Sequence, residues 1–203
     1  MKNSLLKIIP LLAALWLPLN AHAAKNILVF GDSLSAGYGI AVEESWPVLL
    51  QQELARNGSA HRVVNASISG ETTLGGRQRI AQALKQHRPA VVVLELGAND
   101  GLRGYNVADT AANLGEIVAA AQRAKARVLL VGMRLPPNYG KSYVAQFEQM
   151  YPQLAKKRGV RLLPFLLEGV PPEQFQPDNL HPAAEAQPLL MRNVLKELKP
   201  LLR

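Results

Sequence analysis

The sequence predicts an α/β protein, a doubly wound parallel sheet between helical layers. Short apolar runs alternate with amphipathic stretches along the whole chain, one of those runs is apolar at nearly every position, and no linker or repeat divides the chain. Five runs read as strands: Asn26 to Phe30, Arg62 to Asn65, Ala90 to Leu96, Arg127 to Val131 and a weaker one at Val160 to Pro164. The third, rich in Val and Leu, has the composition of a strand covered on both faces, as in parallel sheets.

Helical patterns fill the intervals. Val48 to Asn57 stops at Gly58, Arg77 to His87 stops before Pro89, and Val107 to Lys125 places Leu114, Ile117, Val118 and Ala121 on one face. Tyr143 to Arg158 keeps Val144, Phe147, Tyr151 and Leu154 on one side, but Pro152 should kink or break it, because proline lacks an N–H and its ring crowds the preceding turn. A last helix carries Met191, Val194, Leu195 and Leu198. The resulting order predicts a three-layer α/β/α domain of about five parallel strands joined by right-handed crossovers. Local pattern does not specify the strand order.

With 203 residues, 48% apolar and 19% charged, the chain is long enough for one domain with a sizeable core. Its first residues belong to another purpose: Lys2 and Lys7 near the start, an apolar stretch from Ile8 to Leu19, and Ala21-His22-Ala23 fit an export signal with an A-x-A cleavage site. We expect residues 1–23 to be removed and residues 24–203 to form the domain. The stretch contains Pro10 and Pro18 and falls short of the roughly 20 apolar residues that a span needs, so no stable membrane span is expected after cleavage. The expected destination is the periplasm or the exterior.

Loss of Lys2 and Lys7 lowers the formal charge from +8 to about +6, still basic. Because Lys and Arg are scattered, with Lys156-Lys157-Arg158 the one tight group and that at an expected helix end, nucleic acid is not expected as a partner. There is no cysteine, which excludes a disulfide framework, a thiolate nucleophile and a Cys-based metal site. No cofactor or metal is expected, and the protein is expected to act as a monomer.

The chemistry concentrates in the loops after the strands, where open α/β sheets bind ligands. Gly31-Asp32-Ser33-Leu34-Ser35 follows the first strand, a suitable place to present a serine nucleophile. Of four histidines His22 leaves with the leader, and His61 and His87 have ordinary places in a polar loop and at a helix end. His181 has Asp178 three residues earlier, close enough on one turn to accept the Nδ1 proton and leave Nε2 free as a base for Ser33. Asn65-Ala66-Ser67-Ile68-Ser69-Gly70 follows the second strand and Gly97-Ala98-Asn99-Asp100 the third. A backbone N–H at Gly70 and the Asn99 side-chain amide could therefore face an oxyanion near Ser33. Each segment alone also reads as an ordinary turn. Asp32 reads as a cap for the turn after it, Asp100 as an organiser of the Asn99 loop, and Ser35, Ser67 and Ser69 as turn hydroxyls.

Taken together, the blocks Gly-Asp-Ser-Leu-Ser, Asn-Ala-Ser-Ile-Ser-Gly-Glu-Thr-Thr, Leu-Gly-Ala-Asn-Asp-Gly and Asp178-x-x-His181 resemble the SGNH, or GDSL, hydrolase superfamily over essentially the whole chain after the leader. The spelling is closest to a branch of exported bacterial esterases with thioesterase, lysophospholipase and arylesterase activity. The resemblance implies a flavodoxin-like fold, Ser33, Asp178 and His181 as a catalytic triad, and an oxyanion hole from the Ser33 and Gly70 N–H groups and the Asn99 amide. One departure is Asn179, where many relatives have glycine; Asn tolerates a left-handed backbone better than most residues, so the turn should survive.

The implied substrate is a small acyl ester or a lysophospholipid, with thioesters also cleaved. Candidates to line an acyl groove are Leu34, Leu102, Leu135 and Tyr139, with Leu74, Met133, Phe165 and Phe175 beside them, and Leu135 to Gly140 resembles a segment that adjusts around an acyl chain. A carbohydrate acetylesterase would use the same five residues, though sugar-binding aromatics are sparse. A non-catalytic lipid-binding protein is a further alternative. A metal-dependent phosphoesterase fits poorly, since H-E-x-x-H is missing and only three histidines follow the leader.

Overall fold

The computed structural model describes residues 25–203, so the export signal expected at 1–23 lies outside the described residues. Five parallel strands form the sheet: β1 (Asn26–Gly31), β2 (Arg62–Asn65), β3 (Val91–Glu95), β4 (Arg127–Val131) and β5 (Arg161–Leu163). Their order is β2-β1-β3-β4-β5, with Ile27 beside Val63 on one side and beside Val91 on the other. This is the flavodoxin-like order, and the chain reverses its direction of travel across the sheet between β1 and β3.

Among the described residues seven α-helices accompany the strands: α1 (Ser33–Ala36), α2 (Trp46–Arg56), α3 (Thr73–His87), α4 (Ala98–Leu102), α5 (Val107–Arg123), α6 (Lys141–Arg158) and α7 (Gln187–Leu198). Helices α3, α5 and α6 pack side by side on one face, and α2 pairs with α7 on the other. The sheet is thus covered twice, which is why β1 and β3 carry runs of fully buried residues, Ile27 to Phe30 and Val91 to Leu94. Each such side chain contributes roughly 1.5 to 3 kcal/mol relative to an exposed position.

The short helices α1 and α4 lie in segments expected to be turns, and two of the longer helices also differ from expectation. The pattern places the start of the second helix at Arg77, because Gly75 and Gly76 weaken a helical reading, yet α3 begins at Thr73, where the Thr72 hydroxyl accepts from the Gly75 N–H at 3.2 Å. Gly76 is needed at that point: a β-carbon there would stand 2.5 Å from Leu96 Cδ1. The break expected at Pro152 does not occur, and α6 runs unbroken through it. Pro152 lies on the exposed side of the helix, so its ring needs no room in the core. Phe147, Met150, Tyr151, Leu154 and Ala155 are buried on the other side, and the Tyr151 hydroxyl donates to the Leu96 carbonyl at 3.1 Å. That packing outweighs the hydrogen bond that proline removes.

Candidate active site

The turn after β1 is built by its own side chains. Asp32 caps α1, its Oδ1 accepting from the Leu34 N–H at 3.1 Å, and Gly37 ends the helix with φ 78°, a left-handed conformation. Ser33 is therefore the first residue of a one-turn helix, with an N–H that has no helical acceptor. The loop after β2 is fastened to this turn: Ser67 Oγ accepts from the Gly31 N–H at 3.1 Å, and the Asn65 amide donates to the Ser35 carbonyl at 2.7 Å.

Ser33 and His181 are 148 residues apart in sequence, and the Ser33 hydroxyl oxygen stands 2.9 Å from His181 Nε2. The other ring nitrogen, Nδ1, is 2.7 Å from Asp178 Oδ2. The hydrogen-bond network assigns the proton to Nδ1, since a carboxylate can only accept, and leaves Nε2 as the acceptor for the serine. Asp178 Oδ1 accepts from the N–H groups of His181 at 3.0 Å and Leu180 at 2.9 Å. Those bonds, the His181 N–H foremost, hold its carboxyl down at about 2, so it is ionised across the physiological range. The turn closes through Asn179, whose φ of 56° is the left-handed conformation expected of the residue standing where glycine is common. Tyr38, from the loop after α1, lies against the His181 ring with centroids 4.6 Å apart.

Gly70 and Asn99 come from the loops after β2 and β3. Gly70 has φ 79° and lines the cavity, and its carbonyl accepts from the Arg103 guanidinium at 3.2 Å. Gly97, with φ 117°, turns the chain from β3 into α4, where Asn99 sits; the Asn99 amide donates to Asp32 Oδ2 at 3.0 Å, which leaves its second hydrogen for another acceptor. Asp32 is buried, and burial first of all lifts its carboxyl to about 6, against the lowering effect of the bonds from Leu34 and Asn99. Asp100 is also buried, accepting from the N–H and hydroxyl of Thr73 at 2.9 and 2.5 Å, and so ties the Asn99 helix to α3.

Beside Ser33 opens a cavity of about 500 Å³. Its polar end holds Ser33, Gly70, Asn99 and His181; its walls are Leu34, Leu102, Met133, Leu135, Phe165, Leu167 and Phe175. Of the expected groove residues, Tyr139 and Leu74 do not line it: Tyr139 donates its hydroxyl to the Leu102 carbonyl at 3.0 Å, and Leu74 is exposed on α3. Arg134, unremarked in the sequence, lines the rim with its guanidinium 4.6 Å from the Phe165 ring and 3.4 Å from Glu168. Tyr38 and Glu95 are two more residues at the site that the sequence motifs do not single out. For Tyr38 there is no signal, since only tertiary folding sets it on His181; for Glu95 the signal is an acid at the end of an otherwise apolar strand. The remaining histidines lie elsewhere: His61 Nδ1 is 2.9 Å from the Ser59 hydroxyl, and the His87 carbonyl accepts from Asn26. Among the described residues no cluster of three or more His, Cys, Asp or Glu is arranged to hold a metal ion.

A flavodoxin-like parallel sheet with a serine, histidine and aspartate in one hydrogen-bonded line at its carboxyl edge, opening on an apolar cavity, is the arrangement of a hydrolase on a three-layer α/β/α fold. More particularly, the chain belongs to the GDSL-like lipase/acylhydrolase family, whose family model matches residues 29–188, and it is an ester hydrolase. It is 48% identical over 182 residues to esterase TesA of Pseudomonas aeruginosa, covering 89% of this chain and 90% of that one. It is 44% identical over 195 residues to thioesterase 1/protease 1/lysophospholipase L1 of Escherichia coli K12, covering 95% and 92%. Among solved structures, the psychrotrophic esterase EstA of a Pseudoalteromonas species, inhibited by monoethylphosphonate, superposes with a TM-score of 0.84 at 38% identity, over 88% of this chain and 98% of that one.

Proposed function

We propose that the protein is a serine esterase that hydrolyses acyl esters through an acyl-enzyme on Ser33. His181 Nε2 takes the proton of the Ser33 hydroxyl as the oxygen attacks the ester carbonyl, and the Asp178 carboxylate stabilises the imidazolium that results. The carbonyl oxygen, now negative, accepts from the Ser33 and Gly70 N–H groups and from the free hydrogen of the Asn99 amide. His181 then gives its proton to the leaving alcohol or thiol. Water enters, loses a proton to His181, attacks the acyl carbonyl and releases the acid, restoring Ser33.

The observation that carries this reading is the 2.9 Å and 2.7 Å line from Ser33 through His181 to Asp178, set at the polar end of an apolar cavity. The cavity walls suit an acyl chain, and the printed names of the relatives suit the same class, so the substrates are small acyl, aryl or lysophospholipid esters, with thioesters cleaved as well. Residues 1–23 act as an export signal and residues 24–203 as one domain working outside the cytoplasm as a monomer. Acyl-CoA is then out of reach, which favours oxygen esters as the natural substrates. Among the described residues no helix is long and apolar enough to cross a membrane.

The test is a fluorophosphonate labelling assay combined with a panel of aryl esters, lysophospholipid and acetylated xylan, on the wild type and Ser33→Ala. We expect labelling and hydrolysis of the first two classes in the wild type and a loss of about 10⁴-fold or more in the variant. A variant that keeps wild-type turnover would remove Ser33 as nucleophile; wild-type protein that takes no label would favour a lipid-binding role, and preference for acetylated xylan a carbohydrate esterase.

A further inference from the structure

β3 is apolar along its length until its last residue. Glu95 ends the strand fully buried, and its register partner on β1 is Gly31, the residue that leads into Asp32 and Ser33. One of its carboxyl oxygens, Oε2, accepts from the Ser35 hydroxyl at 2.6 Å and from the Asp32 backbone N–H at 3.3 Å. A single oxygen of the central strand is thus shared by groups on both sides of Ser33. A β-carbon on Gly31 would stand 2.6 Å from this oxygen, so the glycine makes room for the carboxyl group against the strand. Burying a carboxyl group is costly, and an apolar residue would suit the inside of a parallel sheet better. What the acid supplies there is an acceptor for the nucleophile turn.

We propose that Glu95 is a positioning residue for acyl transfer: through Ser35 and the Asp32 amide it pins both flanks of Ser33 to β3 and so fixes the Ser33 hydroxyl relative to His181 and the oxyanion donors. The inference rests on the reading of Ser33 as the nucleophile.

Glu95 does this as a neutral acid. Burial, with the Asp32 carboxylate nearby, drives its carboxyl well above the usual carboxylate range. Oε1, buried and without a partner among the described residues, is the place for the proton, while Oε2 remains the acceptor of both bonds. Asp32, whose two oxygens each receive an N–H, is the anion of the pair. A second full negative charge in this position would oppose the oxyanion that forms above it; a neutral carboxyl holds the turn without that penalty.

The experiment compares Glu95→Ala, Glu95→Gln, Ser35→Ala and Ser33→Ala by circular dichroism, steady-state hydrolysis of an aryl ester and the rate of fluorophosphonate labelling. Glu95→Ala is expected to lower kcat and the labelling rate about 10- to 100-fold with KM within about twofold, as for an interaction felt only when the reacting atoms must align. Glu95→Gln keeps a neutral group with a carbonyl acceptor and should stay within about threefold of wild type, and Ser35→Ala, which removes one of the two ties, should lose about 3- to 10-fold. A folded Glu95→Ala protein with wild-type kcat and labelling overturns the proposal, as does a folded Glu95→Gln protein as impaired as Glu95→Ala. If Glu95→Ala fails to fold, Ser35→Ala decides: reduced kcat and labelling support the tie, and unchanged values overturn it. Activity in Ser33→Ala would instead sink the nucleophile reading, a result distinct from an inactive Ser33→Ala beside indifferent Glu95 and Ser35 variants.

Discussion

Asp32 shows how one side chain can serve two neighbours at the expense of stability. It accepts from the Leu34 N–H and from the Asn99 amide, so it caps the nucleophile turn and orients the amide that faces the cavity. Its carboxyl is raised to about 6 from 3.8, chiefly by burial, with His181 drawing it down and Asp100 pushing it up. A carboxyl that holds its proton more tightly when folded makes the folded state lose ground as pH rises from 3.8 to about 6, by on the order of 3 kcal/mol when ionisation is complete. Asp32→Asn removes that cost but opposes the Asn99 amide with another amide. We expect the melting temperature of Asp32→Asn relative to wild type to climb between pH 4 and about 6 and to level above it. Turnover at pH 7 should fall about 10- to 100-fold, because Asn99 loses its acceptor. Thermal melts across that range check the first point, and a difference that stays flat would show that Asp32 does not ionise there. The residues that a reader of the sequence can single out are those whose chemistry is local: Ser33 after a strand, and Asp178 with His181 on one turn. Glu95 is visible as an oddity without a purpose, since its purpose lies in Ser35 and the Asp32 amide, on another strand.

At the scale of elements, the central strands β1, β3 and β4 were legible almost to the residue, because a parallel strand covered on both faces is apolar whatever its neighbours are. Helix limits were less so. The start of α3 depends on Leu96, Ile117 and Phe30 crowding Gly76, and the continuity of α6 depends on the sheet and α5 receiving its buried face. Neither fact is local. The proline in α6 still costs the helix a backbone hydrogen bond, partly offset by its stiffening of the unfolded chain. Pro152→Ala is therefore expected to stabilise the protein by about 1 to 3 kcal/mol, read as a higher urea midpoint with an unchanged slope. A lower midpoint would mean that the ring makes packing that alanine cannot replace.

Across the whole molecule, the site depends on bringing the turn after β1 and the loop before α7 into register. Gln176 joins them: its amide donates to the Tyr38 carbonyl at 2.8 Å and to the Pro182 carbonyl at 3.3 Å, while its backbone N–H donates to the His181 carbonyl at 2.8 Å. Gln176→Ala should lower kcat about 3- to 10-fold and cost about 1 kcal/mol of stability, with faster amide exchange in residues 175–183. Unchanged kcat with faster exchange would show that the 2.9 Å approach of His181 to Ser33 survives without this tie. Periodicity and turn chemistry were enough to define an α/β chain, its strands and a serine, histidine and aspartate with complementary chemistry, because burial pattern and local hydrogen-bonding capacity are properties of neighbouring residues. The strand order β2-β1-β3-β4-β5, the cavity, the tilted contact of Tyr38 with His181 and the place of Glu95 beneath the nucleophile turn arise from packing between residues far apart in the chain. Such contacts leave no period in the sequence, since each depends on two segments whose relative position is set only when the sheet and its two helical layers close around one core.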